Sequence, residues 1–89
     1  EVRDISRSGV GLRSPVRLDA GATIHLAIAT ESGPIQIEGE VRYSLPLEGT
    51  SLFKTGVLVT AMDRLSRSRW HRLLQNGDPL LGNTGSQAA

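Results

Sequence analysis

Two stretches of strict two-residue alternation, joined by a short turn, constrain this chain more than any other feature. In Ala22–Thr30, Ile24, Leu26 and Ile28 share one side, and His25, Ala27 and Ala29 the other. In Pro34–Ser44, Ile35, Ile37, Val41 and Tyr43 share one side, and Gln36, Glu38, Glu40 and Arg42 the other. Such alternation marks strands with one buried face. Glu31-Ser32-Gly33 lies between them and supplies a glycine where a tight reversal demands positive φ. The spacing therefore predicts an antiparallel hairpin. Gly39 falls on the apolar side of the second strand, where a bend or bulge is expected.

The same period recurs elsewhere. Phe53–Ala61 sets Phe53, Thr55, Val57 and Val59 on one face, with Leu58 on the other. Val2–Ile5 and Val10–Arg13 read as two shorter strands around the turn-like Ser6-Arg7-Ser8-Gly9. After Met62 the period changes. Asp63–Gln75 has no Gly or Pro and reads as a helix, with Asp63 or Ser66 as its cap and Trp70, Leu73 and Leu74 as its apolar stripe, Leu65 near the edge. Asn76-Gly77 is a stop signal. With 89 residues there is room for one small domain, and with only three aromatics its core must come from Val, Ile, Leu and Ala. Five short strands followed by a helix predict an all-β fold. It would be a small antiparallel barrel over residues 1–75, its opening covered by the helix at 63–75, with a flexible tail at 76–89.

Several functions are excluded or weakened by composition and spacing. The absence of Cys removes disulfide scaffolds and thiolate metal sites. No apolar run approaches the roughly 20 residues of a membrane span, and no signal peptide leads the chain. The net charge of +1 argues against a nucleic-acid binder, as does the lack of aromatic platforms. His25 and His71 show no metal-ligand spacing. Asp4, Ser6 and His71 lack the strained elbow that would make a nucleophilic triad. Gly9-Val10-Gly11-Leu12-Arg13-Ser14 has Ser14 where a dinucleotide fingerprint needs its third glycine, and it leads into a strand. Glu38 and Glu40 fit a solvated strand face that discourages edge pairing. Arg64, Arg67, Arg69 and Arg72 look like a basic patch in one dimension but spread around the helical wheel, which favours a surface role over phosphate binding. No constellation supports an enzyme.

The segment Val2-Arg3-Asp4-Ile5-Ser6-Arg7-Ser8-Gly9 is different. Asp4 and Ser6 are two apart, so both would leave a strand on one face. Gly9 would let the backbone turn and pass close to a ligand. The Watson–Crick edge of guanine offers two adjacent N–H donors, which one carboxylate can accept together, with a serine hydroxyl beside it. Nine of the ten cations in the chain are Arg, and Arg3, Arg7, Arg13 and Arg17 cluster around this segment. Guanidinium suits phosphate and purine faces. The same residues also fit an ordinary β-turn in which Asp and Ser bond their own backbone.

Asp4-Ile5-Ser6-Arg7-Ser8-Gly9 resembles the Asp/Asn-x-Ser-x-x-Gly signature of the PilZ domain family. Val10-Gly11-Leu12, Leu18-Asp19-Ala20-Gly21, Gly39-Glu40-Val41-Arg42-Tyr43 and Gly56-Val57-Leu58-Val59 follow in the family's order, with Val59 where the family has Phe. The resemblance covers about Glu1 to Leu74. It implies a six-stranded antiparallel barrel with a C-terminal helix, of the split PilZ-like kind. It also implies a cytoplasmic, non-catalytic regulatory domain of a larger bacterial protein. Such a domain binds cyclic di-GMP through Asp4, Ser6 and Gly9, assisted by Arg3 and Arg7, and acts on a neighbouring domain or partner in exopolysaccharide synthesis, motility or transcription. A homo-oligomer is compatible with it.

The chain departs from the family in one respect. The family's Arg-x-x-x-Arg signature precedes the first barrel strand, whereas only three residues precede Asp4 here. The strings Arg3–Arg7 and Arg13–Arg17 have that spacing but lie inside or after the second signature. Two readings stay open. In one, the chain is a fragment whose upstream part holds the arginines and the first strand, a reading favoured by its strand-like, Met-less start. In the other, it is a degenerate interaction module that binds no nucleotide. The first predicts weak or absent binding by these 89 residues alone and binding by an upstream-extended chain.

Overall fold

The computed structural model describes residues 2–76 and 80–87. Its elements are β1 (Val2–Ile5), β2 (Gly9–Ser14), β3 (Thr23–Thr30), β4 (Ile35–Pro46), β5 (Phe53–Met62), α1 (Arg64–Asn76) and β6 (Leu80–Gln87). The six strands form one antiparallel sheet in the order β1-β2-β5-β4-β3-β6, curled as a half-barrel with the helix against it.

The hairpin forms as the alternation predicts. Ile24 pairs with Gly39, Leu26 with Ile37 and Ile28 with Ile35. The inward Ile24, Leu26, Ile28, Ile35, Ile37 and Val41 are all buried and join Val2, Val10, Leu12, Leu18, Val57, Trp70 and Leu73 in one core. The turn uses Gly33 at φ +119°, a value that L side chains rarely adopt. Thr30 Oγ1 donates to Gly33 O at 2.7 Å and accepts from Ser32 N–H at 3.2 Å.

Two irregularities in the β4–β5 ladder reshape the sheet. Between Glu38 and Gly39 the partner jumps from Ala61 to Val59, so Thr60 is the extra residue. Gly39 belongs there for lack of space: a Cβ would overlap Val57 Cγ1 and lie 3.0 Å from Leu58 O. Between Val41 and Tyr43 the partner moves only from Val57 to Gly56, so Arg42 is the extra residue. This bulge corrects one expectation. Tyr43 does not continue the apolar face but is 42% exposed, and Ser44 takes the inward position. The buried hydroxyl is satisfied there, since Ser44 Oγ lies 2.9 Å from Thr55 Oγ1 and accepts Leu18 N–H at 3.1 Å.

The helix starts where Asp63 Oδ1 accepts Ser66 N–H at 2.7 Å, which makes Asp63 the cap. Its buried stripe is Ser66, Trp70 and Leu73, while Leu65 and Leu74 are exposed. Ser66 takes an inward position because its Oγ accepts Gln36 N–H at 2.9 Å. Arg69 Nη1 donates to Pro34 O at 2.6 Å, and its guanidinium lies over Gly33. The helix is therefore docked on the hairpin by polar bonds as well as by Trp70 and Leu73.

Residues 80–87 were expected to lie in a flexible tail, and they instead form β6 along β3, from Thr30↔Leu80 to Ile24↔Gln87. The physical reason is backbone pairing: β6 satisfies a row of N–H and C=O groups on β3 that would otherwise be a sheet edge. Asn76, also assigned to the tail, ends α1, and residues 77–79, 88 and 89 lie outside the described residues.

Two outcomes follow from this packing. Gly39→Ala forces a methyl into Val57 and should lower stability by about 1–3 kcal/mol in urea melts; an unchanged midpoint would show that the site has room. The Ser66 backbone N–H, above all, holds the Asp63 carboxyl below its ordinary value of 3.8. Its stabilisation is thus complete above that value and fades as pH falls through the lowered one. Asp63→Ala should melt below wild type at neutral pH, and the gap should close in strong acid; a gap independent of pH would contradict the charged cap.

Candidate nucleotide-binding trough

The β1–β2 turn is built from the signature residues. Ser6 N–H donates to Gly9 O at 2.9 Å, and Val59 N–H on β5 donates to Ser8 O at 2.9 Å. The turn is therefore fixed to the neighbouring strand. Ser6 Oγ reaches Gly9 O only at 3.5 Å, a weak contact that leaves the hydroxyl available. Gly9 is not at positive φ. Its lack of a side chain serves close approach instead, because a Cβ would sit 3.0 Å from Val57 O.

One row of the outer face runs across four strands. Asp4 pairs with Gly11, Gly11 with Gly56, and Gly56 with Tyr43. The two central positions have no side chains. The Asp4 carboxylate leans over one of them: a Cβ on Gly11 would lie 2.6 Å from Asp4 Oδ1. The Tyr43 ring covers the other, where a Cβ on Gly56 would overlap it. The result is an open trough of about 250 Å³ along the glycine row, walled by Asp4, Ser6 and Ser8 at one end and Tyr43 and Arg42 at the other. One row further along β2 and β5, Arg13 stands opposite Lys54. Arg42 lies 3.5 Å from Glu40.

Asp4, Ser6 and Gly9 thus come together as the sequence spacing implied. Arg3 and Arg7 do not join them. Arg3 is the extra residue of a shift in the β1–β2 ladder between Val2 and Asp4, and it is exposed outside the trough lining. Arg7 lines a different cavity, on the far side of the turn toward α1. Sequence reasoning missed Gly11, Gly56, Arg42 and Tyr43. The glycines were visible as letters, but their facing positions depend on the register between β2 and β5.

The other candidate groups have ordinary surroundings. His25 Nε2 lies 3.1 Å from Glu38 Oε1 across the hairpin, with both side chains about half exposed. Among the described residues no group of three His, Asp or Glu is placed to hold a metal. No helix there is long and apolar enough to cross a membrane.

A family model described as the PilZ domain matches residues 1–76. Neither a curated protein nor a solved structure matches the chain. The matched span runs from β1 through α1 and takes in both walls of the trough. On that match, with the Asp4-x-Ser6-x-x-Gly9 turn and the curled six-stranded sheet with its helix, the chain belongs to the PilZ domain family.

Proposed function

We propose that this domain is a cyclic di-GMP sensor, and that the trough on the outer face takes a guanine base. PilZ domains are a family of binding and regulatory domains, which gives the class of activity. The observation that carries the reading to this chain is the row Asp4–Gly11–Gly56–Tyr43. A flat base can lie in the trough between the Asp4 carboxylate and the Tyr43 ring, which pack over Gly11 and Gly56. Its N–H edge then meets the Asp4 carboxylate, which can accept from two adjacent donors, and the Ser6 hydroxyl stands beside it. Tyr43 offers an aromatic surface at the opposite end. Arg13 and Lys54, one row away, supply positive charge for the diester phosphates.

The output follows from the domain's class. Ligand binding on an outer sheet face alters the surface that a neighbouring domain or partner protein meets, in the processes such domains regulate, among them exopolysaccharide synthesis and motility. No chemical step is assigned to any residue. The competing reading, an interaction module without nucleotide, would make Asp4 and Ser6 simple turn residues.

Titration calorimetry with cyclic di-GMP separates the two, on the 89-residue chain and on one extended upstream of Glu1. The extended chain should release binding heat. Asp4→Ala should weaken its binding by about ten- to a hundredfold, as expected for lost charge-assisted bonds of roughly 1.5–3 kcal/mol. Tyr43→Ala should cost about two- to tenfold, in line with an aromatic contact of roughly 0.5–1.5 kcal/mol. Absence of heat from the extended wild type would leave the interaction module standing, and normal binding by Asp4→Ala would place the base elsewhere.

A further inference from the structure

We propose that a second cavity, in the groove between the end of β5 and α1, is a binding site for a phosphate-type oxyanion. The groove holds about 260 Å³ and is separate from the trough, with the β1–β2 turn as the ridge between them. Arg7 and Ser8 come to it from that turn, and Arg67, Trp70 and His71 from one face of the helix. The helical three are spaced i, i+3 and i+4, so they point the same way.

The charge of this lining is one-sided. No Asp or Glu among the described residues contributes to it. Neither Arg7 nor Arg67 has an ion-pair partner among the described residues, whereas Arg17 and Arg42 each lie beside a carboxylate and Arg69 is bonded to Pro34 O. Cations gathered in a concave site without a counter-charge repel one another, and an anion relieves that repulsion. A second observation is independent of charge. Trp70 is 3% exposed, and its indole Nε1–H is buried with no acceptor. Buried donors are almost always satisfied, and Trp70, which lines the groove, carries one that is not.

The framework around these donors is fixed in advance. The turn is held by Val59 N–H to Ser8 O, and the helix by Gln36 N–H to Ser66 Oγ and Arg69 to Pro34 O. The donors approach from two elements, the β1–β2 turn and the helix. A planar carboxylate answers a single guanidinium fork, while a tetrahedral oxyanion presents oxygens in several directions at once. That geometry selects phosphate chemistry. Its source is either a free phosphate compound or a phosphate of the nucleotide bound across the ridge. The inference stands without the trough reading, because none of the groove's cations lines the trough.

Trp70 is the only Trp in the chain, so its emission reports on the groove directly. Inorganic phosphate should be titrated at constant ionic strength, with chloride as the balancing anion to remove general screening. The expected result is a saturable change in Trp70 emission that is lost in Arg67→Gln and in Arg7→Gln and kept in Asp4→Ala. Two cationic variants on different elements guard against one of them simply disturbing the fold, which circular dichroism checks. A second titration, with cyclic di-GMP, identifies the source. Weakening by tenfold or more in Arg67→Gln assigns the oxyanion to the nucleotide, and unchanged nucleotide binding assigns it to a separate phosphate compound. A wild-type phosphate response that is absent or unsaturable, or one that persists undiminished in both cationic variants, overturns the proposal. Loss of nucleotide binding in Asp4→Ala with an intact phosphate response would bear on the trough alone.

Discussion

The pairing of Gly11 with Gly56 across β2 and β5 is the constraint around which the outer face is arranged. Two facing positions without side chains leave a strip of backbone that any other residue would cover. The Asp4 carboxylate and the Tyr43 ring occupy the space above it from opposite sides, each where a Cβ would have stood. Both are there because of local irregularities. The shift in the β1–β2 ladder at Arg3 accompanies the turn of Asp4 outward while Val2 stays in the core. The bulge at Arg42 does the same for Tyr43. Bulges often re-aim a side chain beside a functional site, and here two of them serve one trough.

The inner face obeys a different rule. It is closed by aliphatic residues from β1 to β5 and by Trp70 and Leu73 of the helix. Ser44, Thr55 and Ser66 are buried among them, and each is hydrogen-bonded. Trp70 Nε1 is the exception among described buried side-chain polar atoms. An unsatisfied donor is costly in a core this small, which sets the helix–sheet junction at Trp70 apart from the rest of the core. The helix arginines divide accordingly. Arg69 fastens the helix to the hairpin turn, and Arg67 faces the groove.

The hairpin, the third strand and the helix could be read from the sequence because their signals are local. Period-two runs such as Ile24–Ile28 and a cap at Asp63 or Ser66 need no knowledge of distant partners, and the Ser66 N–H bond to Asp63 chooses between the two caps. What could not be read depends on pairing between remote segments. Tyr43 has the parity of Val41, and only the bulge opposite Gly56 turns it outward. Gly11 and Gly56 are forty-five positions apart in number, and neither one marks a floor until the register joins them. Arg3 and Arg7 were grouped with Asp4 by proximity in the chain, yet neither lines the trough. Leu80–Gln87 carries no alternation, and its strand rests on backbone pairing with β3. Asp4, Ser6 and Gly9 were legible because one turn contains all three.

The central claim is that the glycine-floored row is where the nucleotide lies. Amide shift mapping by NMR with added cyclic di-GMP tests it most directly, since it also reads binding too weak for calorimetry. The account predicts that the amides of Gly9, Gly11, Gly56 and Tyr43 move together while those of β3 and β6 stay fixed. Shifts centred on the cavity beside His25 and Glu38 instead, with the glycine row unmoved, would contradict it.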